Sequence, residues 1–369
     1  MDVILVGAGR YGNGLVGRKY KEREFDANLV GVVDPKIDEI KLSDSYRLGD
    51  TPTFKTIDEI PSDVVKNSIT EIALIPQLIP NLFQNLAQRG SKKIILPKPV
   101  TPDTVEFSKM LSTMERDGME AVVASNWYYS QITELTKNFL AKIQGLRVPN
   151  PDLLEQYREE MDSFDDTFEI QKVEVEYNKQ NEVLTIDPPS QELPHALQIV
   201  HSTGLTDFVD TEMTANPEEQ TESRVSLNLS NVRDVEGGIS INSDLQMGDR
   251  LDKKRERLLK IYLNDDDPEP DIVVDYDAQF SPDGTCQKLP EIRCDVKKHG
   301  KRTAWSLPIV EDNLNVMYKR MLGFFDSKKE DALTLQAYKP VADTIGQAQS
   351  LWEDAVKKWL VNICKCKSF

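Results

Sequence analysis

Residues 3–14 read VILVGAGRYGNG, an apolar run that breaks into glycines at Gly7, Gly9 and Gly12. Four consecutive apolar residues, Val3 to Val6, are the signature of a strand covered on both faces, and the stretch from Tyr11 can open a helix despite Gly14 and Gly17. A strand aims such a turn. The helix that follows presents N–H groups and a positive dipole, which suits the pyrophosphate of a dinucleotide. In this reading Gly7 makes the tight turn, Gly9 lets a phosphate approach, and Gly12 brings helix against strand, with Arg10 and Tyr11 beside the bound group.

A second strand ending in an acid tests the reading. NLVGVV, residues 28–33, is that strand, and Asp34 follows it. A carboxylate there accepts hydrogen bonds from ribose hydroxyls and repels a 2′-phosphate, which favours NAD over NADP; Lys36 works against that preference. Alternation continues with a strand in 68–76, a helix over 81–89 and a strand over 93–96. A helix over 102–117 capped by Thr101 and a strand over 120–124 complete it. Five strands separated by helices predict an open, mostly parallel sheet. Ligands of such sheets lie beyond the strands' carboxyl ends, which brings Gly7 to Gly12, Asp34, Pro76, Lys98 and Asn126 to one crevice.

The chain of 369 residues is long enough for two domains. Its 45 Lys and Arg against 62 Asp and Glu leave a formal charge of −17, which opposes nucleic acid and anionic lipid as partners. Four cysteines and no leader or membrane-spanning run point to a cytoplasmic protein with reduced thiols. Cys364 and Cys366 lack the usual two-residue spacer and lie near the chain's end. The acidic run over 264–271 lacks the spacing and glycine of a calcium loop, so no metal site is expected.

The order of these signals resembles the glucose-fructose oxidoreductase and inositol dehydrogenase (Gfo/Idh/MocA) family. VGAGRYG, VVDP, ALIP and IILPKPVT match its landmarks, and Lys98-Pro99 supply the last two residues of its Glu-Lys-Pro. The resemblance implies an α/β fold, with a Rossmann doubly wound parallel sheet over 1–125. An α+β substrate and oligomerisation domain with a large, open, mostly antiparallel sheet follows over 126–340. A helix over 341–369 returns to the first domain. It also implies NAD or NADP as cofactor, a sugar, cyclitol or related small-molecule substrate, and a homo-dimer or homo-tetramer formed through the second sheet. Lys98 then lies by nicotinamide and substrate, and a histidine of the second domain assists proton transfer. A strand-end ammonium stabilises developing oxyanion charge in its own right, and Pro99 fixes the backbone beside it, as a cis bond in one form.

Beyond 125, SNWYYS places Asn126, Trp127 and Tyr128 at the passage between domains. Their rings either close over a nicotinamide or sugar face or pack between domains. EIQKVEVEYN, RVSLNLSNV, EGGISINSDLQM, RLLKIYLN and DIVVDYDAQF alternate like half-exposed strands. Between the first and second of these lies ELPHALQIVHSTG, where Pro194 opens a helix and sets His195 in its first turn. A neutral imidazole there can take a proton from a hydroxyl and return it. The family outline is a histidine, an aspartate three residues on, and a closing glycine. His195 and Gly204 fit; Gln198 stands in the acid's place. His201 falls nearly opposite His195 on the helix, and His299 sits in a polar turn. Pro97 replaces the family glutamate before Lys98, and Pro80 stands near a usual histidine. These departures leave an alternative open, a non-catalytic dinucleotide-binding sensor or scaffold of the same fold, beside the oxidoreductase.

Overall fold

The computed structural model describes the chain outside residues 10, 22–24, 43–45, 156, 158–166, 182–192, 206–209, 217–221, 231–238, 248–255, 264–267, 278, 281–285, 289, 299–300, 309–312, 327–330 and 367–369. Arg10 and His299 fall outside the described residues. Two compact units emerge, Met1–Tyr129 with Asp312–Gly346, and Ser130–Glu311 with Gln347–Phe369. The later segment of the first unit thus begins at 312, and residues 347–369 group with the second unit.

The first unit holds a six-stranded sheet of β1 (Asp2–Val6), β2 (Asn28–Val33), β3 (Thr53–Phe54), β4 (Ile69–Ile72), β5 (Lys93–Pro97) and β6 (Glu120–Ala124), ordered β3-β2-β1-β4-β5-β6. Every pairing is parallel. The sixth strand, β3, was not expected: two residues carry no readable alternation, and β3 forms only because Thr53 and Phe54 fall opposite Val32 and Val33. Val3, Ile4, Leu5, Ile94, Ile95 and Leu96 are fully buried, as strands sandwiched between helices must be.

Among the described residues, five helices follow the strands of this unit's first segment. They are α1 (Arg18–Lys21), continuous with a π-helical stretch Gly12–Gly17, then α2 (Ile37–Lys41), α3 (Ser62–Asn67), α4 (Ile79–Gln88) and α5 (Thr104–Asp117). Burying Ile79, Phe83 and Leu86 on α4 contributes about 1.5–3 kcal/mol per side chain. Thr101 does not cap α5. The Asp103 carboxylate accepts Val105 N–H at 2.8 Å and Glu106 N–H at 3.0 Å, while Thr101 Oγ accepts Asp103 N–H one turn earlier. Pro102 and Asp103 therefore precede the helix, which starts at Thr104 rather than 102.

The second unit contains α6 (Gln131–Ile143), α7 (Pro151–Glu155), α8 (Leu193–Ser202) and an eight-stranded sheet. Its strands are β7 (Lys172–Asn181), β8 (Asp210–Asn216), β9 (Glu222–Ser230), β10 (Ile239–Met247), β11 (Glu256–Tyr262), β12 (Ile272–Asp275), β15 (Glu291–Lys298) and β16 (Lys301–Pro308). A separate hairpin joins β13 (Gln279–Phe280) and β14 (Cys286–Lys288). The order is β16-β15-β12-β11-β7-β10-β9-β8, antiparallel except for the central β7–β10 pair. Val173, Val175 and Tyr177 are buried while Lys172, Glu174 and Glu176 are not, so the alternation that announced β7 does select its covered face. In the closing part of the chain, α9 (Asn313–Phe325) belongs to the first unit and α10 (Lys339–Cys366) runs across the 346/347 division. Met317, Met321, Leu322 and Phe325 of α9 are core residues, as their spacing predicts. Among the described residues no helix is long and apolar enough to cross a membrane, and no group of three His, Cys, Asp or Glu can hold a metal ion.

Candidate functional site

Parallel strands place their carboxyl ends along one edge. That edge of the first unit carries the glycine loop after β1, Asp34 after β2, Pro76 after β4, Lys98 after β5 and Asn126 after β6. Gly7 has φ +103°, and a Cβ on it would run into the Ala73 carbonyl of the adjacent strand end. A Cβ on Gly12 would collide with the Gly7 carbonyl oxygen. Both glycines are therefore demanded by the fold itself. Gly9 differs, because a Cβ there would meet nothing within 4 Å. Its backbone faces open space beside the first turn of the helical segment, the room a pyrophosphate oxygen needs against N–H donors. The loop of Gly7, Gly9 and Gly12 thus fits a dinucleotide.

Asp34 braces the same loop. Its Oδ2 accepts Ala8 N–H at 2.8 Å and its Oδ1 accepts Lys36 N–H at 2.8 Å. Gly7 N–H donates to Val33 O at 2.8 Å, so loop and acid are joined twice.

Behind the loop lies a cluster that the sequence reading missed. Glu71, on the central strand β4, is 1% exposed. Tyr20 Oη donates to its Oε2 at 2.7 Å, and the Tyr318 hydroxyl donates to its Oε1. Burial pushes the Glu71 carboxyl up to about 7, with the two phenols pulling the other way. Tyr11 keeps 38% of its surface exposed, yet its hydroxyl reaches Tyr318, and burial followed by the Glu71 charge raises it above the ordinary phenol range. The available signal was a lone acid inside the apolar run SITEIALIP.

Lys98 is half-buried at the end of β5 and precedes Pro99 through a cis peptide bond, the form anticipated for this pair. Asn126 is exposed, whereas Trp127 is 6% exposed. Tyr128 donates from Oη to Asp331 Oδ1 at 3.3 Å, and Tyr129 Oη accepts Leu333 N–H at 2.9 Å. Burial and the Asp331 charge both raise the Tyr128 hydroxyl. These contacts anchor Tyr128 and Tyr129 within the unit.

In the second unit, His195 sits in the first turn of α8 and is half-buried on a helix whose other members are nearly all covered. Its ring stacks on Tyr177 of β7, with centroids 5.2 Å apart and planes 9° from parallel. Gln198 is 1% exposed and its Nε2 donates to Ser202 Oγ at 2.9 Å, a contact along the same helix. His201 is half-buried on another face, its basicity lowered by burial and by the Lys137 charge.

The comparisons with known proteins agree with this architecture. Residues 1–125 match the model of the oxidoreductase family with an NAD-binding Rossmann fold, GFO_IDH_MocA. No curated protein sequence matches the chain. Among solved structures, UDP-N-acetylglucosamine 3-dehydrogenase GnnA from Acidithiobacillus ferrooxidans superposes with TM-score 0.61 at 14% identity, covering 96% of this chain and 98% of its own. An oxidoreductase from Agrobacterium radiobacter, solved with NAD+, L-tartaric acid and magnesium, gives TM-score 0.64 at 13% identity over 96% of each chain. The super-repressor mutant of Gal80p from Saccharomyces cerevisiae gives TM-score 0.65 at 12% identity over 97% of each chain. At such identities the likeness is one of fold, extending over both units.

Proposed function

We propose that this chain, whose first 125 residues match the model of that NAD-binding oxidoreductase family, is an NAD(P)-dependent oxidoreductase acting on a sugar, a cyclitol or a related carbonyl, hydroxyl or imine substrate. The observation that carries the reading is the open face at Gly9, set on a loop that Gly7, Gly12 and Asp34 hold in shape. The nicotinamide, when bound, supplies or accepts the hydride.

Each residue has an assigned task. The loop amides orient the pyrophosphate, and Asp34 adds negative charge where the adenosine ribose of a dinucleotide would lie. Lys98 stabilises the oxygen on which negative charge develops, and His195 holds or releases the hydroxyl proton. Trp127 and Tyr128, at the end of the last strand of the first sheet, are assigned to substrate binding. A small molecule is the expected partner, in a cytoplasmic homo-oligomer assembled through the eight-stranded sheet.

A second reading, a dinucleotide-binding sensor without turnover, is favoured by Gln198. A neutral amide bonded to Ser202 supplies no negative charge to a neighbouring imidazole. One of the similar folds is a repressor by its own description. Titrating the pure protein with NADH and NADPH against a panel of keto-sugars, cyclitols and imines separates the two. Oxidation of the reduced cofactor, lost in Lys98→Ala with cofactor affinity kept, supports the enzyme; tight binding with no oxidation of either cofactor supports the sensor.

A further inference from the structure

Where the family resemblance places an acid, this chain has Gln198, and its amide is directed to Ser202. The imidazole of His195 meets a different neighbour. Its plane lies within 9° of the Tyr177 ring. Tyr177 is itself fully buried, on the covered face of β7. Directly across the sheet from Tyr177, in the antiparallel register, stands Arg257 of β11. The guanidinium carbon of Arg257 lies over the Tyr177 ring at 5.1 Å from its centre. Arg257 Nη1 in turn pairs with Asp277 Oδ1 at 3.5 Å, with the two side chains only 11% and 9% exposed. Asp277 is pinned by its own N–H, which donates to Asp275 Oδ1 at 3.0 Å.

We infer that Tyr177 is a positioning residue for His195, replacing the family's acid by an aromatic platform, and that the Arg257–Asp277 pair fixes the platform. The inference rests on the assignment of proton transfer to His195. A half-buried imidazole on a helix end can rotate about two bonds, and proton transfer requires one of its nitrogens to be aimed. A stacked ring restricts that rotation to orientations parallel to the platform. The platform is rigid because β7 lies in the middle of the sheet, and because a cation over an aromatic face holds the phenol ring against tilting. Asp277 keeps the guanidinium from swinging away and balances its charge, so the brace is directional without making the surroundings of His195 strongly cationic. No hydroxyl chemistry of Tyr177 is required: the role belongs to the face of its ring.

The chain has three histidines, so the imidazole protons of His195 can be assigned in selectively labelled protein by comparison with His195→Ala. The expected wild-type spectrum has the His195 ring protons shifted upfield by the Tyr177 ring current. The shift persists in Tyr177→Phe and disappears in Tyr177→Leu. In steady-state turnover of reduced cofactor with an active keto-sugar, Tyr177→Leu is expected to lower kcat about tenfold to a hundredfold with KM for the cofactor unchanged, and Tyr177→Phe to stay within about threefold of wild type. In the His195→Ala background, Tyr177→Leu is expected to have no further effect on kcat.

Arg257→Met, which leaves the core aromatic in place, provides the second route if Tyr177→Leu does not fold. It is expected to broaden the His195 signals and to lower kcat several-fold. Unshifted His195 protons in the wild type overturn the inference, as does a Tyr177→Leu loss of the same size with and without His195. A crippled His195→Ala beside a fully active Tyr177→Leu overturns the platform alone. An unimpaired His195→Ala overturns the assignment of His195 and the platform with it.

Discussion

Asp34 Oδ2 accepts the N–H of Ala8 at 2.8 Å, so the acid that closes one strand fastens the loop that leaves its neighbour. The bond makes two properties inseparable that are usually assigned to different residues, loop geometry and ribose recognition. Asp34→Ala removes a charged acceptor from two backbone donors, each such bond being worth about 1.5–3 kcal/mol when well shielded and less at this partly exposed site. Melting temperature is expected to fall by several degrees, and affinity for NADH and NADPH to fall together. A variant with unchanged melting and improved NADPH binding would show instead that the carboxylate acts on the ribose alone.

The glycines of the loop should separate by phenotype. Gly9→Ala meets open space, so it is expected to fold with wild-type melting while its dinucleotide dissociation constant rises tenfold or more, on the order of 1.4 kcal/mol. Gly12→Ala drives a methyl group into the Gly7 carbonyl and is expected to lose stability before binding can be assayed. Calorimetric binding beside thermal melting of both variants checks this, and equal melting losses would refute it.

Glu71 gives stability a pH dependence of definite sign. Its folded-state pKa is raised to about 7 from an ordinary 4.5, so the folded protein holds this proton more tightly than the unfolded chain. The contribution is fully present below about pH 4.5 and is lost as pH rises through about 7. Glu71→Gln cannot ionise, keeps a carbonyl for one of the two tyrosines, and is expected to flatten that slope. Urea midpoints from pH 5 to 8 for both proteins test it; parallel profiles would remove Glu71 as the source.

At the start of α5, Asp103→Ala is expected to cost about 1 kcal/mol, since it strips two donors of their acceptor at a helix N-terminus. Thr101→Val should cost less, because it loses one bond outside the helix. Denaturant titration of the pair measures the difference, and a larger loss at Thr101 would contradict the assignment of the cap.

How far the sequence could be read depended on how local each signal was. The glycine loop, Asp34, the cis Lys98-Pro99 and the helix that carries His195 were legible because each is a short stretch with a backbone requirement of its own. β7 and β9–β12 were legible because their residues alternate with a two-residue period. β3 was hidden because its existence depends on β2, twenty residues earlier, and not on its own two residues. Thr101 reads as the cap because it stands just before a proline, but the helix begins after that proline. Tyr177 could be recognised as an inward residue of a strand. Its partners His195 and Arg257 arrive from 18 and 80 positions away, and nothing in the local pattern announces them. The Glu71 cluster is hidden for the same reason, its second tyrosine lying 247 positions downstream.

That last separation bears on the order in which the molecule can be completed. The dinucleotide-binding unit is made of two pieces of chain, and the later piece brings Tyr318 to Glu71, Asn315 to Lys19, the Phe325 carbonyl to Lys93 and an antiparallel bridge from Thr334 to Val122. During synthesis the first unit to begin is therefore the last to be finished, with all of residues 130–311 emerging in between. A fragment ending near residue 129 would strand a carboxylate with half its donors and leave the outer edge of β6 bare, so excision at the apparent domain boundary should yield an insoluble product in place of a miniature nucleotide binder.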